Sequence, residues 1–323
     1  MIYRIYRLDF YSGVHFGSDF GSEHVSSMQS VFHSDSLFSA LCQEALKLGG
    51  EPALQQLVNW SREGTLLLSD LFPYSGDTYF LPKPKKLYSR KETPVLPEGG
   101  LPDRKLVKKM THISADLLDE YLAYQQGKTD RFDMESVVGR LHGIMQQERK
   151  TSAALRAAES EPYYVGMTQF AQGCGLYAIV GCEQPEQIDP LFRSLETTGI
   201  GGRKSYGLGK FVCEPVELHA DAPHGLSALY RRLTAANPAV SMTLNTSLPR
   251  DEELDCLCDA QYLLIRRGGM KDGSAEQHKR TVYALEAGSC VSTRYAGQIL
   301  DVRIETDGHP IYRNFIPMYL EVE

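Results

Sequence analysis

Residues 199–211 read Gly-Ile-Gly-Gly-Arg-Lys-Ser-Tyr-Gly-Leu-Gly-Lys-Phe, five glycines in thirteen positions just before an apolar, strand-like run. No regular helix or central strand tolerates that density, so the chain must turn tightly here, with backbone at positive φ. Gly199, Gly201, Gly202, Gly207 and Gly209 are expected to turn N–H groups toward an anion. Arg203, Lys204 and Lys210 add charge, Ser205 a hydroxyl and Tyr206 a stacking face, a combination suited to phosphate plus a flat base. The run fits neither a dinucleotide fingerprint, because Lys204 occupies the last glycine position, nor a Walker A loop, because Arg203 precedes Lys204-Ser205. The competing reading is a glycine-rich hairpin with solvated cations.

A net charge of −7 argues against a general nucleic-acid coat, but the charge is unevenly spread. Between Lys83 and Lys109 stand nine cations, Lys105, Lys108 and Lys109 among them, against Glu92, Glu98 and Asp103. Such an island binds phosphate locally or forms a solvated face. Prolines 82, 84, 94, 97 and 102 mark residues 82–110 as an extended, irregular insertion.

Hydrophobic periodicity supplies the rest of the frame. Residues 2–10 form an expected strand. Ser34-Asp35-Ser36 offers N-caps to a helix carrying Leu37, Phe38, Leu41, Cys42, Ala45 and Leu46 and closed by Gly49-Gly50, and a second helix runs from Pro52 to about Gly64. Helices are expected near 113–126, 134–147, 186–197, 226–236 and 251–257. Strands are expected near 162–170, 175–181, 208–219, 240–248, 260–267, 281–286 and 298–305. Arg266-Arg267-Gly268-Gly269 makes a second basic glycine turn. Helices among hairpin-linked strands imply an α+β fold of two domains with antiparallel sheets, 1–230 and 231–323.

Membrane and cofactor classes find no support. The sequence opens without a signal-peptide pattern and has no apolar run of spanning length, so a cytoplasmic protein is expected. Seven scattered cysteines without a C-x-x-C pair suit reduced thiols, and Cys256 with Cys258 are too few for zinc. No metal and no cofactor are expected.

The ordered set Ser34-Asp35-Ser36-Leu37-Phe38-Ser39-Ala40, the run 199–211, Leu264-Ile265-Arg266-Arg267-Gly268-Gly269, Glu286-Ala287-Gly288-Ser289 and His309-Pro310-Ile311-Tyr312-Arg313 resembles subunit 4 of the Csm complex. That is a family of the RAMP superfamily in type III-A CRISPR interference. Arg149-Lys150-Thr151 before Pro162-Tyr163-Tyr164 is similar to an RNA-contacting stretch of its members. The resemblance implies two ferredoxin-like, RRM-type domains with a thumb-like insertion in the first. It further implies a noncatalytic subunit that grips the 5′ repeat-derived tag of the CRISPR RNA, between a large polymerase-like subunit and a RAMP backbone subunit.

Single residues also invite an enzyme reading. His15 lies after the first strand, where RAMP-type processing endoribonucleases place a catalytic histidine, so a metal-independent endoribonuclease is the competing class; a glycine-loop nucleotide enzyme is a third. A lone histidine beside aromatic residues more often serves as a structural donor. Asp35 is expected to act as an N-cap rather than a metal ligand.

Overall fold

The structure, a computed structural model, describes residues 1–17, 31–86, 104–156, 159–223, 225–270, 278–304 and 309–323. In chain order the described elements begin with strand β1 (Ile2–Phe10), helix α1 (Ser34–Arg62), β2 (Leu66–Leu68), β3 (Phe72–Ser75), β4 (Thr78–Pro82), α2 (Arg104–Lys109) and β5 (His112–Ser114). They continue with α3 (Leu118–Gln125), α4 (Met134–His142), β6 (Met145–Arg156), β7 (Glu159–Phe170), β8 (Cys174–Cys182), α5 (Asp189–Thr198), β9 (Phe211–Leu218) and α6 (Leu226–Leu233). The C-terminal part holds β10 (Ser241–Thr243), β11 (Leu264–Arg267), β12 (Val282–Leu285), β13 (Cys290–Val291), β14 (Ile299–Asp301), β15 (Tyr312–Asn314) and β16 (Tyr319–Glu321). A 3-10 turn over Asp251–Leu257 takes the place of the expected acidic helix.

A seven-stranded antiparallel sheet in the order β5-β4-β3-β8-β1-β9, with β2 also on β8, organises the molecule. Both of its faces are covered, which explains why β1 is apolar without clean alternation. On one face Ile5, Phe72, Tyr177 and Ile179 meet Leu118 and Leu122 of α3, Leu226 and Leu229 of α6, and Met242, Leu320 and Val322 from the C-terminal strands. On the other, Tyr6, Leu8, Ala178 and Val180 meet Leu37, Phe38 and Leu41 of α1 and Phe192 and Leu195 of α5. The small sheet β13-β10-β16 thus shares a core with the large one.

Several expectations move. The helix α1 breaks at Gly50, whose φ of 66° and ψ of −162° are not helical, so the two expected helices abut end to end. Residues 145–156 pair along their full length with 159–170 in a twelve-rung hairpin, β6–β7, so the helix expected to 147 ends at His142. The segment 113–126 begins as strand β5. The strand expected over 240–248 ends at Thr243, because Asn245 and Thr246 turn to bond other segments. Strands β3 and β4 carry no clear period in sequence, since buried residues occupy both of their faces, and β2 is only three leucines long.

The basic insertion is corrected at both ends. Residues 87–103 lie outside the described residues, with Arg90, Lys91, Pro94, Pro97 and Pro102 among them. Pro82 belongs to β4, Lys83 N–H donates to Thr111 O, and Lys85 reaches the C-terminal part through its N–H to Gly288 O and its Nζ, 3.0 Å from Glu286 Oε2. Residues 104–109 form α2, because Leu106 and Val107 pack on the first core and leave Lys105, Lys108 and Lys109 exposed. Two apolar side chains outweigh the repulsion of the cations around them.

Candidate functional site

The first turn of α1 is held by carboxylates, in a way the sequence does not announce. Asp35 is not an N-cap: His33 occupies that position, and Asp35 is the second residue of the helix, within its first turn and fully buried. Its Oδ1 and Oδ2 accept from Arg267 Nη2 and Nε at 3.0 and 3.2 Å, and Oδ2 also accepts from Arg313 Nη1 at 2.5 Å. Burial alone would raise the Asp35 carboxyl, but the two guanidiniums hold it well below the usual carboxylate range. The capping role passes to Asp70, from the turn after β2, whose Oδ1 accepts from Ser34 N–H at 2.8 Å and Thr246 N–H at 3.0 Å. Its Oδ2 lies 2.8 Å from His33 Nδ1 and accepts from Thr246 Oγ1 at 3.2 Å. Burial opposes ionisation of Asp70 too, and His33 with the surrounding donors lowers its pKa nonetheless. Two buried carboxylates therefore tie the start of α1 to the C-terminal part of the chain.

The glycine run packs against the segment after β1. Gly199, Gly201, Gly207 and Gly209 have φ between 76° and 82°, and Arg203 is left-handed at 57°. Gly202 N–H donates to His15 O, Gly209 N–H to Gly13 O, Ile200 N–H to Gly209 O and Gly199 N–H to Leu195 O. These amides, and that of Gly207, which donates to Lys204 O, serve the protein's own carbonyls rather than an anion, which corrects the expectation for Gly199, Gly202, Gly207 and Gly209. The close approaches are internal as well. A Cβ on Gly201 would stand 2.7 Å from His15 O, one on Gly202 2.9 Å from His15 Cδ2, and one on Gly209 1.9 Å from Ile200 O. Lys204–Tyr206 make one 3-10 turn at the tip, where Ser205 and Tyr206 are exposed and the Arg203 guanidinium sits 5.6 Å from the Tyr206 ring centre.

A cleft of about 460 Å³ opens between this loop, the first turns of α1 and the turn after β11. Its walls include His15, His33, Ser36, Gly199, Gly201, Gly202, Lys204, Arg267, Lys279 and Arg313. Four cations line it, and among its described lining residues there is no Asp or Glu. Asp35 lies beneath, behind the guanidiniums it positions. His15 is nearly buried, and its Nδ1 donates to Gly166 O at 2.6 Å, as a carbonyl partner requires.

Of the residues singled out in sequence, the fold gathers His15, Gly199, Gly201, Gly202, Lys204 and Arg267 at this cleft. Arg149 and Lys150 lie on β6, exposed, with Arg149 directly opposite Gly166, the residue that accepts from His15. Ser34 is buried and is not among the described residues that line the cleft, and its Oγ finds no partner among the described residues. Arg266 alternates with Arg267 along β11 and faces the other way, opposite Tyr283. Lys105, Lys108 and Lys109 stand on α2, across the large sheet from the core that carries α1. Lys279, His33 and Asp70 were not legible in sequence; Arg313 was, within His309-Pro310-Ile311-Tyr312-Arg313, though without a role.

No helix among the described residues is long and apolar enough to cross a membrane. Residues 237–322 match the family model of the CRISPR Csm4 C-terminal domain. The sequence is 34% identical to CRISPR system Cms protein Csm4 of Mycobacterium tuberculosis (strain CDC 1551 / Oshkosh), over 98% of this chain and 97% of that protein. It is 27% identical to the protein of the same name from Streptococcus thermophilus over the whole of both chains. Among solved structures, Csm4 in a Csm3-Csm4 subcomplex of the type III-A CRISPR-Cas interference complex superposes with a TM-score of 0.64 at 20% identity, over 99% of each chain. A Csm1-Csm4 cassette in complex with cA4 gives 0.60 at 19% identity, over 100% of this chain and 98% of that one.

Fold and sequence together define a mixed α/β protein with antiparallel sheets, of the kind found in type III CRISPR complexes. Within that class, the chain belongs to the Csm4 family.

Proposed function

We propose that this chain is a noncatalytic, RNA-gripping subunit of a type III-A Csm effector complex in antiviral defence. It holds the 5′ repeat-derived tag of the CRISPR RNA and joins the large polymerase-like subunit to the RAMP backbone subunit. The observation that carries the reading is the cleft: in a chain of net charge −7, Lys204, Arg267, Lys279 and Arg313 line one cavity with no lining carboxylate among the described residues. Four cations around a groove, two of them sharing the buried carboxylate of Asp35, make an electrostatic funnel for a phosphate backbone. The relatives described in complex with Csm3 and with Csm1 support the two protein partners. The two-domain, ferredoxin-like organisation, divided near residue 230 and with a thumb-like insertion in the first domain, is part of the same proposal.

The endoribonuclease reading draws less support from the same cleft. Its two histidines are fixed through Nδ1, His15 by Gly166 O and His33 by Asp70 and Thr246, which leaves only Nε2 of each for proton transfer. Among the described lining residues there is no tyrosine, and Lys204 and Lys279 are the groups left to assist attack by a 2′-hydroxyl.

The test is binding of single-stranded tag RNA to the purified chain over a salt series. Lys204→Ala and Lys279→Ala each reduce the slope of log K against log salt by about 0.7, the share of one phosphate contact on a single strand. Unchanged slopes in both variants overturn the cleft as the RNA site. Repeat RNA incubated with the chain stays intact, and cleavage that vanishes in His15→Ala assigns the protein to the endoribonucleases instead.

A further inference from the structure

The ribbon β11–β12 has two faces with opposite character. Arg267 turns inward to Asp35 and the cleft, while Leu264 and Arg266 point outward, with Tyr283 directly across from Arg266. Tyr283 is 61% exposed, Leu264 57%, and the flanking Leu263 59%. Tyr262 extends the outward period, and the 3-10 turn that leads into the ribbon exposes Leu254. Clustered exposed leucine and tyrosine side chains are costly in water, and tyrosine and arginine are residue types that anchor protein interfaces.

The surrounding charge identifies the occupant. Asp251, Glu252, Asp255 and Asp259 are all exposed within the nine residues that precede Ala260, and this short stretch runs straight into Tyr262 and the ribbon. This acidic stretch leading into the ribbon repels phosphate, whereas most of the cations suited to RNA lie on the other side of β11, in the cleft. We propose that the outer face of β11–β12 docks a partner protein whose contact surface has an apolar centre and a basic rim. The proposal rests on the reading of the chain as a subunit of an assembly. It gives β11 two jobs, with Arg267 turned to the RNA cleft and Leu264 and Arg266 to the protein neighbour.

The test is co-expression of the full chain with the protein subunits and CRISPR RNA of its own complex. The wild type is compared with the double variant Leu264→Asp/Tyr283→Asp and the conservative double Leu264→Met/Tyr283→Phe. The molar ratio of every subunit in the purified assembly is measured, together with tag-RNA affinity and melting temperature of each chain alone. The expected result is at least a tenfold loss of one protein subunit with the aspartate double, tag-RNA affinity within twofold of wild type, an unchanged melting temperature, and full retention with the conservative double. Asp255→Lys with Asp259→Lys also lowers retention, most strongly at low salt. Assembly of the aspartate double at wild-type ratios overturns this docking face alone. A fall in RNA affinity with all proteins retained makes the face an RNA surface, and wild-type self-association abolished by the double makes it a contact between copies; either refutes the proposal. A wild-type chain that co-purifies with no protein subunit overturns the proposed function along with it.

Discussion

Asp35→Asn probes the charge cluster that builds the cleft. The substitution keeps the side-chain volume and removes the negative charge, so Arg267 and Arg313, each only 4% exposed, lose the carboxylate they share. Removing one partner of a buried ion pair costs about 3–5 kcal/mol, because the charge left behind can neither rehydrate nor deprotonate. Domains have about 5–15 kcal/mol in total, so the variant is marginal at room temperature. The single tryptophan, Trp60, sits in α1 and packs on the second core, so its fluorescence follows urea unfolding of the element that carries Asp35. A cycle with Arg313→Met separates the pair from its surroundings, and a coupling of at least about 1 kcal/mol is expected for contacting charges. The pH dependence has a definite sign. The Asp35 pKa is lowered on folding, so its stabilisation is present above the unfolded value of about 3.9 and is lost as pH falls below it. Wild type should therefore lose stability more steeply than Asp35→Asn below about pH 4. A loss under about 1 kcal/mol at neutral pH, or strict additivity with Arg313→Met, would refute the view that this cluster locks the N-terminal helix to the C-terminal part.

Gly209→Ala should destabilise the chain far more than Gly207→Ala. Both have φ near 80° and pay the left-handed cost of about 1–2 kcal/mol, but only Gly209 would drive its Cβ into a carbonyl, that of Ile200, and equal melting temperatures would show that the loop yields freely. Reversing Lys105, Lys108 and Lys109 to Glu should leave the isolated chain's tag-RNA affinity within twofold at about 0.15 M salt, where the Debye length is about 8 Å, since α2 packs across the sheet from the cleft. A loss as large as that of Lys204→Ala would place RNA on both faces. Asp70→Ala removes the acceptor of Ser34 N–H and Thr246 N–H, both buried, and should cost about 2–4 kcal/mol in urea unfolding; a loss below about 1 kcal/mol would mean that water replaces the carboxylate.

Much of the frame was legible because it is local. The apolar spacing of Leu37, Phe38, Leu41 and Ala45 specifies a buried helical face, and Gly50 breaks the helix at the expected place through its positive φ. The glycine run was legible as a tight, left-handed connection for the same reason, since positive φ is a property of a residue and its neighbours. What those glycines approach was not legible. Their tightest contacts are with His15, nearly two hundred positions earlier, and with the backbone of their own loop. Nor does any local pattern connect Asp35 with Arg267 and Arg313, or Asp70 with Thr246, although these bonds tie the start of α1 to the C-terminal part of the chain. Arg266 and Arg267 look equivalent as adjacent cations, and only strand pairing sends one to the cleft and the other beside Tyr283. Local sequence determined where the chain can coil, extend and turn, because those preferences are energies of a few neighbouring residues. The cleft, the cations that line it and the outer face of β11–β12 were decided by tertiary structure, because a buried charge is stable only where distant segments bring it a partner.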